Sequence, residues 1–343
     1  MPGAKPGPSV RKTLYIQLLL LTAVIGAITF VIALVAISWL PTVASEEGER
    51  IDDLYLFTSV ICIGIFALVA AVTVYAVLKF RAGPGDMEDG KPIHGHTGVE
   101  ILWTVIPTIL VTVIGIWSAV VVVQNDDLPD DRRIVNVEAQ QFAWSFSYID
   151  ERDGLNGMQV GELVVRVNEP LELHMTSPDV IHSFWVPEWR QKQDVVPGIT
   201  TFYRITPTLE GTYPIICTEL CGLGHSVMRN QVRVLSDADF DAWVADQQQG
   251  VDTGGAALGQ SVFQNQGCAA CHSLSAADAT GAVGPDLDSV LAGQSAEEIR
   301  QSIVDPNDVI SEGFAEGVMP PYGAVPEDQL DALVEYLVTE AGG

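Results

Sequence analysis

The chain has 343 residues, a net charge of −27 and five cysteines. Its length allows two soluble domains, or one soluble domain with membrane segments. The acidity argues against nucleic acid or an anionic membrane surface as a partner, and favours either a basic protein partner or a high-salt habitat. Four cysteines form two close pairs and the fifth, Cys62, lies in an apolar run, so a disulfide framework is not expected.

Three apolar runs occupy the first 125 residues, at 14–40, 56–78 and 101–123. Each is long enough to cross a hydrocarbon core of ~30 Å as a helix. Basic residues precede the first run and lie between the second and third, whereas the segment between the first two is acidic. The positive-inside rule therefore places the N-terminus and the loop 79–100 in the cytoplasm, and everything after Gln124 outside.

The first apolar run has two possible fates. The letters VAS before Glu46 resemble the cleavage site of a signal peptide. Because the apolar core is long for a signal peptide, we expect the run to be retained as a membrane helix. The C-terminal part of the chain is outside under either outcome.

Residues 132–235 have the pattern of β-strands. Short stretches rich in β-branched and aromatic residues are separated by Gly, Pro and Asp. The alternation predicts one apolar face with Val165, Val167, Leu171 and Leu173, and one polar face with Arg166, Asn168, Glu172 and His174. This spacing predicts an antiparallel sandwich or barrel, followed by a helix that begins after the N-cap Ser236.

The rest of the chain divides by composition. The stretch QQQGVDTGGAALG has the composition of a linker, and helical patterns follow it. The predicted regions are a membrane region at 1–125 with two or three transmembrane helices, an all-β domain at 126–245, a flexible linker at 246–257 and a small all-α domain at 258–343. The all-α domain has fourteen acidic residues and one basic residue, Arg300, so we expect a basic partner to dock there.

Residues 217–228, CTELCGLGHSVM, carry four soft ligands: Cys217, Cys221, His225 and Met228. Single-cysteine copper sites use two His, one Cys and a weak axial Met, because thiolate and thioether suit copper. Two thiolates four residues apart on a turn can instead bridge two metal ions. A second histidine must come from elsewhere, and His182 lies on a preceding strand. A two-Cys, two-His zinc site, chance clustering and a hydrogen-bonded core role for His182 are the alternatives.

A second cluster is the sequence GCAACH, which supplies Cys268, Cys271 and His272 as C-x-x-C-H. Two thiols one helical turn apart can add across the vinyl groups of a haem, while the adjacent His ligates the iron. The segment GVMPPYG offers Met319 as sixth ligand, and His/Met ligation favours a high reduction potential. The alternative for Met319 is core packing. Gly259, Phe263 and Tyr336 resemble the helix-crossing residues of class I cytochromes c.

The pattern C-x-E-x-C-G-x-x-H-x-x-M, with D-V-x-H-S-F upstream, resembles the dinuclear copper (CuA) domain of subunit II of haem–copper oxygen reductases. The resemblance covers roughly residues 55–235. It implies a cupredoxin-like Greek-key barrel behind a two-helix hairpin, from which the extra N-terminal run departs. The implied copper ligands are Cys217 and Cys221 as bridging thiolates, and His182, His225 and Met228 as terminal ligands.

The same resemblance implies roles for four further residues. Glu219 would ligate copper through its backbone carbonyl, and its side chain would reach a magnesium site shared with the catalytic subunit. Glu100 matches an acid at the cytoplasmic mouth of a proton channel in that subunit, although an ordinary interfacial role is the alternative. Phe142 and Trp144 match the aromatic strand through which electrons reach copper. The family's usual tryptophan is replaced by Phe142 here, which puts direct electron transfer from a docked soluble cytochrome at this position in doubt.

The expected protein is subunit II of a cytochrome-c-fused, proton-pumping oxidase in the plasma membrane of a prokaryote, with its copper and haem c domains on the outer face. Its implied partners are subunit I, which would reduce oxygen, the other oxidase subunits, and a donor such as a cytochrome c or a cytochrome bc complex. A quinol-oxidase subunit would lack the copper ligands. The alternatives are the electron-accepting subunit of a CuA-containing nitric oxide reductase and a membrane-anchored copper-delivery protein, which would have no use for a high-potential haem.

Overall fold

The computed structural model describes residues 8–37, 40–81, 85, 94–149, 151–252, 256–322, 325 and 327–341. The chain forms two compact units. One unit comprises residues 1–42 and 50–124, and the other comprises residues 43–49 and 125–343. The short segment 43–49 therefore belongs with the second unit, although its sequence lies between two apolar runs.

The first unit consists of long apolar helices. Their bounds are α1, Pro8–Ile37; α2, Glu46–Phe80; and α3, Thr97–Asp126. Within the described residues, three helices are long and apolar enough to cross a membrane. Their side chains are mostly exposed in the absence of lipid, as expected for helices whose apolar surface faces a bilayer. The prediction of three membrane-crossing segments agrees with these helices.

The β-region of the second unit is a sandwich of two five-stranded sheets. The strands are β1, Arg133–Gln140; β2, Ala143–Tyr148; β3, Gln159–Val160; β4, Leu163–Arg166; β5, Leu171–Thr176; β6, His182–Trp185; β7, Lys192–Val195; β8, Thr201–Ile205; β9, Gly211–Cys217; and β10, Arg229–Leu235. One sheet has the order β3-β2-β1-β5-β8 and the other has the order β4-β10-β9-β6-β7. The predicted all-β sandwich is confirmed.

The prediction of a purely antiparallel arrangement is wrong in two places. Strand β1 pairs in parallel with β5, and β4 pairs in parallel with β10. Sequence alternation identifies strands but not their neighbours, and only hairpin-linked strands must be antiparallel. The chain crosses from one sheet to the other between these partners, so each pair meets with the same direction.

The predicted common face of Val165, Val167, Leu171 and Leu173 also needs correction. Strands β4 and β5 lie in different sheets, so these side chains approach the core from opposite sides. Glu172, expected on a polar face, is only 3 % exposed. Its burial is possible because Arg204 Nε and Arg132 Nε lie 2.7 Å and 3.1 Å from its carboxylate.

Helix α4, Asp237–Asp252, packs on the outside of the sandwich. The Ser236 side chain accepts a hydrogen bond from the Asp239 backbone N–H at 3.2 Å, which confirms the predicted N-cap. The ring of Phe240 lies 5.0 Å and 4.6 Å from the guanidinium groups of Arg133 and Arg166. These contacts hold the start of the helix against the strands.

The prediction of a flexible coil at 246–257 is wrong for residues 246–252, which continue α4, and for residues 256–257, which begin a further helix. Glutamine has good intrinsic helix propensity, so this stretch can extend a helix that is already packed. Residues 253–255 lie outside the described part of the chain. The domain boundaries drawn from composition remain a prediction.

The helical region follows as a separate core around Phe263, Leu333 and Leu337. Its elements are α5, Ala256–Asn265; α6, Cys268–Cys271; β11, Ser273–Leu274; β12, Ala279–Thr280; α7, Leu287–Val290; α8, Ala296–Val304; and α9, Glu327–Ala341. Helices α5 and α6 are separate because Gly267 between them has φ 73°. Helices α5 and α9 cross at Gly259, where an added Cβ would overlap the Ala332 carbonyl.

Candidate functional site

The first candidate site lies at one end of the sandwich, where β9 ends and where β6 and β10 begin. His182 is the first residue of β6 and Cys217 is the last residue of β9, and these two strands pair side by side. The Cys217 backbone N–H donates to the Met228 carbonyl at 3.2 Å, which closes the base of the loop 218–227. The sheet therefore brings a residue 35 positions upstream against the loop.

The ligand atoms predicted from sequence converge in this place. Cys217 Sγ and Cys221 Sγ are 3.8 Å apart, and His182 Nδ1 is 4.0 Å from Cys217 Sγ. On the other side, His225 Nδ1 and Met228 Sδ lie 3.5 Å and 3.7 Å from Cys221 Sγ. The two thiols thus occupy the centre of the cluster, and each has an imidazole beside it.

The backbone of Glu219 completes the cluster. Its carbonyl oxygen is 3.3 Å from Cys217 Sγ, while its side chain is exposed. The structure therefore places the carbonyl among the sulfur atoms and leaves the carboxylate free to point away from them. All six residues predicted as copper ligands lie together.

His182 is held in one orientation by Asp179, the first residue of D-V-x-H-S-F. Its Nε2 lies 2.9 Å from Asp179 Oδ1, which leaves Nδ1 facing the thiol of Cys217. Asp179 also accepts a hydrogen bond from the Gln141 backbone N–H at 2.7 Å. Burial opposes ionisation of Asp179, but hydrogen bonds from His182 and from the backbone N–H groups of Gln141 and Val180 outweigh it and lower the pKa of Asp179. A carboxylate behind a ligating imidazole is a common support in metal sites.

The two thiols differ in acidity. Burial raises the pKa of both thiols, but the hydrogen bond with His182 outweighs burial at Cys217 and lowers its pKa to about 6. At Cys221, burial and the negative charge of Cys217 raise the pKa to about 12. The surroundings thus support one thiolate, and a second needs a cation beside it. Two thiolates with two imidazoles and a thioether suit copper, so the residues fit a copper centre.

Aromatic side chains cover this cluster from strand β2. The indole of Trp144 is buried, with its ring centroid 6.3 Å from that of His182. The ring of Phe142 lies over the loop, where a Cβ added at Gly224 would overlap it and one added at Gly222 would lie 3.2 Å from it. Phe142 therefore contacts the thiol-bearing loop, and Trp144 lies beside His182.

The second candidate site is a cavity in the helical region. Helix α6 is a single turn that carries Cys268 and Cys271 at its two ends. His272 and Met319 line the same cavity. The C-x-x-C-H residues and the predicted sixth ligand are thus placed around one apolar space, which fits a haem bound covalently through two thiols.

The ring of His272 is fixed from behind. Its Nδ1 lies 2.9 Å from the Pro285 carbonyl, so it donates there and leaves Nε2 free. Gly284 allows the ring to approach the backbone, because an added Cβ would lie 2.5 Å from its Cε1. Burial lowers the pKa of His272 and the hydrogen bond to Pro285 only partly offsets it, which favours the neutral ring that metal ligation requires.

Glu100 lies at the start of α3, in the membrane unit. Its carboxylate accepts a hydrogen bond from the His96 backbone N–H at 2.8 Å, and its own N–H donates to the His96 carbonyl at 3.0 Å. This reciprocal arrangement caps the helix. The geometry gives Glu100 a structural role whatever else it does.

Family models match three successive parts of the chain. Residues 33–121 match the transmembrane domain of cytochrome c oxidase subunit II, and residues 155–235 match its periplasmic domain. Residues 256–340 match cytochrome c. The order agrees with the membrane helices, the β-sandwich and the helical region.

Curated relatives span most of the chain. Cytochrome c oxidase subunit 2 of Alkalihalophilus pseudofirmus is 31% identical over 316 residues, which cover 86% of this chain and 90% of that protein. The chain belongs to the cytochrome c oxidase subunit 2 family. The protein of the same name from Synechocystis is 29% identical over 66% of this chain and 81% of its own length, and that from Thermostichus vulcanus is 30% identical over 60% and 77%.

Membership of this family establishes several general properties. The chain is part of a haem–copper oxidase, an oxidoreductase, and has an electron-transfer role. The oxidase subunit II domain implies a CuA copper centre, and the cytochrome c domain implies a haem c. The subunit associates with subunit I and other oxidase subunits, and its helices anchor it in a membrane with the soluble domains on the outer face.

Three supporting residues were given no role in the sequence prediction. Asp179 is the first residue of D-V-x-H-S-F and stands three residues before His182, a spacing that places a carboxylate close to an imidazole. That spacing could have suggested its role. Gln141, whose amide donates to the Cys221 carbonyl at 2.5 Å, and Gly284, which lies under His272, carry no local signal, because their partners are distant along the chain.

Proposed function

We propose that this chain is the electron-accepting subunit of a cytochrome-c-fused terminal cytochrome c oxidase, in which a haem c and a dinuclear copper centre supply successive one-electron carriers between an external donor and subunit I. Cys268 and Cys271 would hold the haem covalently, and His272 and Met319 would ligate its iron. The residues that would hold the copper are Cys217, Cys221, His182, His225, Met228 and, through its carbonyl, Glu219. Oxygen reduction and proton pumping belong to subunit I.

The convergence at residues 217–228 carries this proposal. Two thiols 3.8 Å apart, each with an imidazole within 4.0 Å, provide two similar half-sites that share their sulfur atoms. A zinc site of two Cys and two His would have no use for the thioether of Met228 at 3.7 Å from Cys221. The presence of a haem cavity in the same chain favours electron transfer over copper delivery.

The protein residues act by holding the ligands still. Asp179 orients His182, the sheet fixes Cys217, and Gln141 restrains the carbonyl of Cys221. Rigid ligands reduce the rearrangement that accompanies a change of charge, which is how a protein speeds repeated electron transfer. Trp144 and Phe142 exclude water from this end of the sandwich and would provide the aromatic route to it.

The proposal extends to the partners of the chain. The acidic helical region would receive a basic donor, such as a cytochrome c or the cytochrome of a bc complex, at the outer face of a prokaryotic plasma membrane. The exposed side chain of Glu219 would contribute to a magnesium site shared with subunit I. Glu100 would lie at the mouth of the proton channel. Glu100→Gln tests that role, because Gln keeps an acceptor for the His96 N–H while it removes the charge.

Truncation after Asp252 tests the route of electrons. This variant retains α4 whole and removes the haem-binding region. The oxidase complex that contains it should keep its copper and its oxygen consumption with small artificial donors. Turnover with the native donor should slow severely and lose its dependence on salt, because the acidic docking surface is gone.

A second variant separates the acidic charge of the helical region from its haem. Cys268→Ala with Cys271→Ala keeps all fourteen acidic residues but prevents covalent attachment of haem. Its turnover with the native donor should therefore be slow. If either variant accepts electrons from that donor as fast as the full chain does, the haem is not the acceptor, and the route through Phe142 and Trp144 starts at the donor itself.

A further inference from the structure

The haem-binding segment lies directly on the copper-binding sandwich. Gly267, the residue before Cys268, faces Ala143 at the start of β2 so closely that a Cβ added to it would overlap the Cβ of Ala143. Gly267 has φ 73°, between α5 and α6. Ala143 is only 6 % exposed. No side chain separates the two backbones at this point.

Polar contacts flank this close approach. The Gln266 side chain, which is largely buried, meets Gln140 with its Oε1 3.4 Å from the Gln140 amide nitrogen. The carbonyl of Gln266 accepts a hydrogen bond from the Tyr322 hydroxyl at 3.1 Å. Tyr322 lies three residues after Met319, so both ends of the haem cavity are linked to the residue that contacts the sandwich.

Phe142 belongs to the walls of both candidate sites. Its ring covers Gly222 and Gly224 in the thiol-bearing loop, and it also lines the cavity that contains Cys268 and His272. It is only 8 % exposed. An external protein therefore has no free access to the face of Phe142 that the helical region covers.

We infer that Gly267 is a docking residue: its lack of a side chain lets the haem-binding segment rest on Ala143, which fixes the cytochrome region against the copper region beside Phe142 and closes that aromatic surface to an external donor. The inference rests on the proposed function, since it assigns a route between the two proposed centres.

Gly267→Ala should weaken this docking. The added methyl group is forced against Ala143, and overpacking of a close contact lowers the docked population by about tenfold. We expect a similar loss in the rate of electron exchange between haem and copper after flash reduction of the full chain. The haem spectrum, the copper resonance spectrum and both midpoint potentials should stay unchanged, because no ligand is altered.

Gly293→Ala is the matched control. Gly293 also has a positive φ, 82°, but nothing lies within 4 Å of an added Cβ. The control therefore has the same backbone strain in the same region without the contact. Ala143→Gly should rescue Gly267→Ala, because the Cα of Ala143 would lie 3.3 Å from the new methyl group. Ala143→Gly alone measures the cost of glycine in the strand.

Hydrogen exchange gives a readout that needs no electron transfer. Amides of β2 and α5 should exchange faster together in Gly267→Ala and return to normal in the double variant. If Gly267→Ala prevents haem attachment, Ala143→Val places the bulk on the other side of the same contact and should give the same loss. Either variant supports the inference if it slows electron transfer between haem and copper while its haem and copper spectra remain normal.

The outcomes also separate this inference from the proposed function. If the unmodified chain, loaded with both cofactors, shows no electron exchange between them, both ideas fail. If exchange occurs and Gly267→Ala and Ala143→Val match Gly293→Ala in rate and in amide protection, the proposed function stands and the docking role of Gly267 is overturned.

Discussion

The copper-binding and haem-binding regions position their proposed ligands in different ways. His182 begins β6, Cys217 ends β9 and Met228 precedes β10, and these three strands are neighbours in one sheet of the sandwich. In the haem-binding region, Cys268 and Cys271 occupy an isolated helical turn. Met319 lies between α8 and α9, where the described residues form neither helix nor strand. The backbone hydrogen bonds among these described residues are isolated ones, such as that from Tyr322 N–H to the Ile303 carbonyl at 3.1 Å.

This difference indicates which site is formed before its cofactor binds. In the copper-binding region the strands position the proposed ligands before any metal binds. In the haem-binding region the cavity walls come from short elements that surround an apolar space, so the cofactor itself supplies much of the core. We therefore expect copper binding to require the folded sandwich, and folding of the helical region to require haem.

The largest expected effect is that of Cys221→Ser on the copper centre. Cys221 contacts Cys217, His225 and Met228, and one remaining thiolate cannot close a core of two bridged metals. Electron paramagnetic resonance should lose completely the signal of one unpaired electron shared over two copper nuclei. Cys62→Ser, an exposed cysteine in α2, is the matched control and should keep that signal. A shared-electron spectrum that survives in Cys221→Ser would contradict the ligand assignment.

The expected difference between the two regions can be tested by removing the two thiols of each site in turn. We expect Cys268→Ala with Cys271→Ala to expose many amides of α5, α8 and α9 to hydrogen exchange. Cys217→Ser with Cys221→Ser should leave the amides of β1, β5 and β9 protected, because the cross-strand hydrogen bonds do not involve the ligands' side chains. Equal loss of protection in both pairs would mean that neither site is formed in advance.

A third, smaller effect concerns the haem alone. Met319→His should lower the haem midpoint potential by on the order of 0.1 V, since a thioether ligand favours ferrous iron relative to imidazole. Met158→His, in the copper-binding region, should leave it unchanged. A redox titration followed at the haem absorption bands measures both. An unchanged potential in Met319→His would show that another residue is the sixth ligand.

The proposed ligands of both sites could be recognised in the sequence because most of them are local. Cys217, Cys221, His225 and Met228 lie within twelve residues, and so their spacing alone restricts the chemistry. His182 could be proposed because a strand pattern surrounds it. The three apolar runs were recognisable because membrane-crossing helices need long uninterrupted stretches.

What could not be predicted depends on contacts between distant segments. The parallel pairing of β1 with β5 follows from where the chain crosses between sheets, which alternation does not record. The extension of α4 through Asp252 follows from a helix that is already packed at Phe240 and continues through glutamines, whereas the glycines of this stretch predict a linker. The contact of Gly267 with Ala143 joins residues that have no pattern in common.

The smallest expected effect sharpens the comparison by testing what stabilises the copper-binding sandwich away from copper. Burial would raise the pKa of Glu172, but hydrogen bonds with His174, Arg204 and Arg132 outweigh burial and lower it to about 2. Because the folded pKa lies below the ordinary value of ~4.3, ionised Glu172 contributes on the order of 3 kcal/mol above that pH. The contribution is lost as the pH falls from about 4 through about 2.

Glu172→Gln should therefore lower the unfolding midpoint of the copper-binding region at neutral pH, and should flatten its decline between about pH 4 and pH 2. The near-ultraviolet signal of the buried Trp144 and Trp189 reports this unfolding. Glu138→Gln is the control, since Glu138 is exposed on the neighbouring strand β1. Copper resonance spectra should be unchanged in both variants. If the two variants unfold in parallel across this range, the charge network around Glu172 does not stabilise the sandwich, and its rigidity comes from strand pairing and core packing alone.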